Sequence, residues 1–96
     1  MQTLALDGEL TIYTAIEQKT ALLNFLTSDN ELELNLANVS EMDTAGLQLL
    51  ILIKREASQN SKILRFVMHS KAVLDVLELT RLTSAFGDQV VLPVKE

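Results

Sequence analysis

The sequence predicts an α/β domain built on a small mixed sheet of about four or five strands, with helices packed mainly on one side. Three observations carry that expectation. Short stretches that alternate apolar and polar residues are interleaved with longer stretches of helical period. An Asp-Gly pair near the N-terminus separates two apolar runs, which marks a tight hairpin turn because Gly tolerates positive φ. The 96 residues and their 48% hydrophobic content fit one small domain over residues 1–96 with its own core, not a disordered chain.

The elements follow in order. "TLALDGELTIY" reads as two short antiparallel strands near residues 3–6 and 9–12, joined at Asp7-Gly8. "TAIEQKTALLNFL" reads as a helix, with Thr14 and Glu17 at capping-box spacing and Ile16, Leu22, Leu23 and Leu26 near one side. "ELELNL" alternates strictly and predicts a strand that buries Leu32, Leu34 and Leu36. "TAGLQLLILIKREASQ" is too long for an ordinary strand and rich in helix formers, so it predicts a helix over residues 44–59. Its first half is apolar on most sides, and Lys54, Arg55 and Glu56 begin a wet end. "KILRFVMH" is nearly continuous in apolar residues, as in an interior parallel strand. Ser70 then caps "KAVLDVLELT", whose stripe is Val73, Leu74 and Leu77. "RLTSAFG" adds a helical turn pairing Leu82 with Phe86, and "VVLPV" is a last short strand. The order is β-β-α-β-α-β-α-β, which implies a hairpin followed by right-handed parallel crossovers.

Composition narrows the function. A net charge of −5 argues against a nucleic-acid surface, which needs a clustered positive field. Without Cys there are no disulfides or thiolate metal sites. The N-terminus shows no signal-peptide pattern, and no apolar run approaches the ~20 residues of a membrane span. A cytoplasmic protein that touches a membrane only through a partner is the expectation. No Gly-rich phosphate loop, Ser-His-Asp set or Cys-His pair is present, so the chain is not expected to be an enzyme or to carry a cofactor. His69, the single His, reads as a loop residue, and Glu31 and Glu33 read as a solvated strand face. Met42, Met68 and the three Phe fill gaps in the core or at its rim.

One stretch asks for more. In "SEMDTAGLQLL", Asp43 follows a strand and precedes a helix, which suits an N-cap accepting the N–H of Ala45 or Gly46. Spacing alone favours that cap. Two details point further. Gly46 lies inside the first turn, where Ala would be better by ~1 kcal/mol, so another group must come close; a docking partner is one such group. Thr44 places a hydroxyl beside the free N–H groups and positive dipole end of a helix, a place where a phosphate is tolerated although Glu41 and Asp43 would repel it.

The segment "LELNLANVSEMDTAGLQLLILIKREA", with its strand, short loop and Asp-Thr-x-Gly-Leu helix start, resembles the STAS domain family of sulfate transporters and anti-sigma-factor antagonists. "KILRFVMHSKAVLDVLELTRLTSAF" is similar to the strand, helix and turn that follow in that family, and the resemblance covers essentially the whole chain. It implies that Thr44 is a phosphorylation site and that Met42, Asp43, Thr44, Ala45, Gly46 and Leu47 form a partner-binding surface. The implied partner is a kinase-like anti-sigma factor, which the unmodified protein binds and the phosphorylated one releases. This chain has Thr44-Ala45 where such antagonists often carry Ser-Ser. Thr-Ala variants also resemble STAS subunits that dock on the ATPase of lipid-transport ABC complexes, and STAS proteins associated with chemotaxis kinases.

Overall fold

The computed structural model describes residues 1–80, and the turn and strand expected within residues 81–96 lie outside the described residues. Six elements follow in order: β1 (Gln2–Leu10), α1 (Ala15–Leu26), β2 (Glu31–Met42), α2 (Thr44–Gln59), β3 (Ile63–Val67) and α3 (Lys71–Thr80). The α/β class holds. Among the described residues the sheet has three strands, in the order β1-β2-β3, and both pairings are parallel.

The expected N-terminal hairpin is absent. Residues 2–10 form one strand that pairs along its length with β2. Gly8 does adopt a positive φ of 83°, but the chain does not reverse there. Leu6 and Leu10 are both buried, so the two halves of β1 serve one core face. This left-handed residue coincides with an irregular register. Ala5 pairs with Asn35 and Asp7 with Asn38, then Gly8 with Val39 and Glu9 with Glu41, so β2 twice carries one residue more than β1. Such bulges move a strand's side chains to the opposite face. Here the first one lets Leu32, Leu34 and Leu36, at even positions, be followed by buried Val39 at an odd one. The Asn35 Oδ1 accepts the Ala37 N–H at 2.8 Å and so ties down a backbone group at the bulge. As a result β2 runs to Met42, where a short strand and a loop were expected.

The buried face of the sheet includes Leu6, Leu10, Leu32, Leu34, Leu36, Val39, Leu64 and Phe66, and the helices close it with residues that include Leu22, Leu26, Leu47, Leu50, Ile53, Val73 and Leu77 in one continuous cluster. Thr3, Ala5, Glu31, Ile63 and Arg65 on the other face are exposed. Helices on one side are what right-handed crossovers stepping in one direction produce.

Helix α2 has its expected bounds, while local details differ. Lys54 is not at a wet end: its Nζ donates to the Leu64 carbonyl and lies 5.2 Å from the centre of the Phe66 ring. α2 stops without a Gly. Ser61 takes φ 59°, the Lys62 N–H donates to the Ala57 carbonyl and the Ser61 N–H to the Ser58 carbonyl, a Schellman arrangement. Ser70 caps α3, its Oγ accepting the Val73 N–H at 3.3 Å. Thr14 precedes α1 but makes no capping bond to it. Its hydroxyl accepts the Thr11 N–H at 3.0 Å and donates to the Glu9 carbonyl at 3.0 Å, bracing the β1–α1 loop instead.

Candidate functional site

In a parallel sheet every strand ends on the same edge, and each following helix begins there. The end of β1 and the end of β2 therefore deliver the β1–α1 loop and the first turn of α2 to one rim. Asp43 joins them. Its Oδ1 accepts the Gly46 N–H at 3.0 Å, the expected N-cap bond, and its Oδ2 accepts the Ile12 N–H at 3.0 Å. Its own N–H donates to the Leu10 carbonyl at 3.4 Å. Both carboxylate oxygens thus serve as acceptors within the chain, and the charge lies at the positive end of α2. The Ile12 N–H, and next the Gly46 N–H, hold the Asp43 carboxyl below the usual carboxylate range.

This arrangement requires a carboxylate. Asn would offer one acceptor and turn an N–H2 group toward one of the two donors. Asp43→Asn and Asp43→Ala are each expected to cost about 1–2 kcal/mol, from the lost cap and the lost loop bond, read by urea unfolding. The depressed pKa sets the pH dependence. The unfolded chain takes up this proton first as pH falls, so the stabilisation is complete above roughly pH 4 and is lost below it, as pH drops through the folded-state value. A pH series of unfolding curves should show that loss in the unmodified protein and a smaller one in Asp43→Asn.

Gly46 is close-packed. A Cβ placed on it would meet the Leu10 carbonyl oxygen at 1.9 Å and the Leu10 carbonyl carbon at 2.8 Å. The group that comes near is therefore the protein's own β1, and the expectation that Gly46 makes room for a partner is corrected. Leu47 is 2% exposed and belongs to the core, so its side chain is not available at a surface either. Of the six expected surface residues, Thr44 is exposed, Met42, Asp43 and Ala45 are half-buried, and Gly46 and Leu47 support the turn from beneath.

Sequence reasoning missed the other half of the rim. Ile12 is 66% exposed, Tyr13 89% and Ile16 83%, a group of large side chains turned to solvent. The loop that carries them is fixed. Thr11 is buried, its Oγ1 accepts the Tyr13 N–H at 3.3 Å and donates to Glu9 Oε1 at 3.3 Å, and Asp43 holds Ile12. A signal was available in the sequence. At 100° per residue Ile16 lies about 120° round α1 from Leu22, outside the stripe that Leu22 and Leu26 define.

The rim offers an exposed hydroxyl, apolar side chains held on a braced loop, and a carboxylate already engaged. Among the described residues no group of three His, Cys, Asp or Glu side chains is placed to hold a metal ion. No helix among them is long and apolar enough to cross a membrane. Large apolar side chains held at such a rim suit contact with another macromolecule. The sequence model for the MlaB STAS domain matches residues 1–92. The chain belongs to the STAS domain family. Its fold is similar to that of the anti-sigma factor antagonist SpoIIAA in its unphosphorylated form, with a TM-score of 0.66 and 18% identity over 94% of this chain and 78% of that one. At that identity the likeness is one of fold.

Proposed function

We propose that this chain is a non-enzymatic regulatory domain that works in the cytoplasm by docking on a protein partner, a kinase-like anti-sigma factor, through the first turn of α2, and that phosphorylation of Thr44 ends the complex. The observation that carries this reading is the setting of Thr44. It is exposed on the first turn of a helix whose cap is already filled by Asp43, so a kinase can reach its hydroxyl without breaking the fold. A phosphoryl group there meets the positive end of α2 and sets new negative charge beside the Asp43 carboxylate on a surface in contact with a partner. The likeness in fold to an anti-sigma factor antagonist supports the choice of partner. The test is to purify the chain with its partner from the native host, incubate the complex with ATP and map the phosphate by mass spectrometry. Modification at Thr44 is expected. Modification confined to another Ser or Thr overturns the assignment.

A second reading is favoured by the description of the matching family model as the MlaB STAS domain. The chain would then be a constitutive subunit docked by the same turn on the ATPase of a lipid-transport ABC complex. The identity of the copurified protein separates the readings: a sigma-regulating kinase supports the first, a transporter ATPase the second, and a chemotaxis kinase would replace both with an adaptor role.

A further inference from the structure

Tyr13, Ile12 and Ile16 expose apolar surface on a segment that is not floppy. The loop is held by the Thr11 and Thr14 hydroxyls and by Asp43, and Ile16 stands on the first turn of α1. The held backbone presents an aromatic side chain with few rotatable bonds, which costs little entropy to bury against a partner, and aromatic residues are enriched among the residues that dominate interface energetics. The Asp43–Ile12 bond makes this patch continuous with the turn that carries Thr44.

The charge around the patch is mainly acidic. Glu9, Glu17 and Glu41 are exposed, against one exposed cation on the first two turns of α1, Lys19, which lies one turn on from Ile16. Glu9 and Glu41 are register partners on adjacent strands. Their negative charges repel across the short distance between paired strands. A cation supplied from outside relieves that repulsion. Glu9 also reaches the loop itself, through the Thr11 hydroxyl that in turn accepts the Tyr13 N–H.

We propose that Tyr13, flanked by Ile12 and Ile16, is the anchor of the interface, and that it enters a pocket of the partner that is apolar at its floor and carries Lys or Arg at its mouth, opposite Glu9 and Glu41. This rests on the reading of the α2 start as a docking surface and adds the residues that supply affinity and the chemistry the partner must present. Thr44 sets whether the complex forms, and Tyr13 sets how tightly.

Two experiments test it. Tyr13 is the single Tyr and there is no Trp, so the intrinsic fluorescence of the free protein reports this residue alone. The ratio of caesium to iodide quenching should be several-fold higher than that of free N-acetyltyrosinamide at equal ionic strength, because the surroundings are mainly acidic. A ratio equal to that of the free amide overturns the charge argument. For the interface, the probe is the protein copurified with the unmodified chain, titrated by calorimetry. Tyr13→Ser and Ile16→Ser change exposed side chains and should keep the circular dichroism spectrum, yet each should weaken binding at least tenfold. Glu9→Gln with Glu41→Gln should flatten the salt dependence of affinity. Tyr13→Ser binding within twofold of the unmodified chain overturns the anchor. The two readings fail separately: tight binding by Thr44-phosphorylated protein removes the switch and leaves the anchor, and tight binding by Tyr13→Ser removes the anchor and leaves the switch.

Discussion

Gly46→Ala should lower the stability of the domain by about 3 kcal/mol. Helix propensity alone predicts the opposite sign, since Ala in a helix interior is better than Gly by about 1 kcal/mol. Packing decides the matter. The new methyl would sit 1.9 Å from the Leu10 carbonyl oxygen, and that neighbour is backbone, not the pliable end of a side chain. Leu10 cannot retreat alone. It is the last residue of β1, it pairs with Met42, and its carbonyl accepts the Asp43 N–H. In a domain of this length the loss corresponds to a fall in Tm of roughly 12–24 °C. Thermal and urea unfolding followed by circular dichroism measure it. A variant as stable as the unmodified protein would mean that α2 can shift away from β1 at no cost, and the close approach would then explain nothing about why Gly occupies this position.

The other large effect is on binding. Phosphorylation of Thr44 should reduce affinity for the copurified partner by a hundredfold or more, equal to about 2.7 kcal/mol. The modification adds between one and a half and two negative charges, roughly, to a surface that already holds Glu41 and Asp43. In a contact that excludes water such charge is poorly screened and has no solvent to compensate it. The fold should survive, because Thr44 is exposed and the helix start tolerates an anion. Thr44→Ala should bind constitutively. Thr44→Glu should fall between, since it carries less charge than phosphate and a different shape. Calorimetry on the three forms and on the phosphorylated protein, with circular dichroism as the control for folding, gives the order. Equal binding by the phosphorylated form would leave a static docking subunit as the better account.

Much of the fold was legible where one period dominated. The alternation of Leu32, Leu34 and Leu36 gave the first half of β2, and the long run of helix formers behind its Asp43 cap gave the bounds of α2. The misreadings have separate physical causes. Asp7-Gly8 has the residues of a hairpin turn, and Gly8 does take positive φ, yet the core face continues through Leu6 and Leu10 and the conformation is absorbed in an irregular parallel pairing. Local residue preference marks a special backbone angle but not which long-range pairing uses it. Gly46 is similar. Its sequence position signalled a close approach, while only the tertiary structure shows that Leu10 is what approaches. Thr14 and Glu17 had capping spacing, but the nearer demand for the Thr14 hydroxyl came from the loop bonds to Thr11 and Glu9. At the rim, Asp43 and Thr44 were found because a motif marked them. Tyr13 has no motif, and its importance depends on exposure, which periodicity alone did not suggest for residues preceding the helix.

The double hold of Asp43 has a consequence for how this surface can be altered by evolution or by design. The segments around residues 12 and 44 are some thirty positions apart, but they share one carboxylate and one close backbone contact. Substitutions in the two segments should therefore show epistasis, since groups that share a bonding partner do not contribute independently. A β1–α1 loop grafted from another member of the family will seat properly only if it brings the Ile12 N–H and the Leu10 carbonyl to the same places. The two stretches are best recombined together, as a single heritable unit split across the gene.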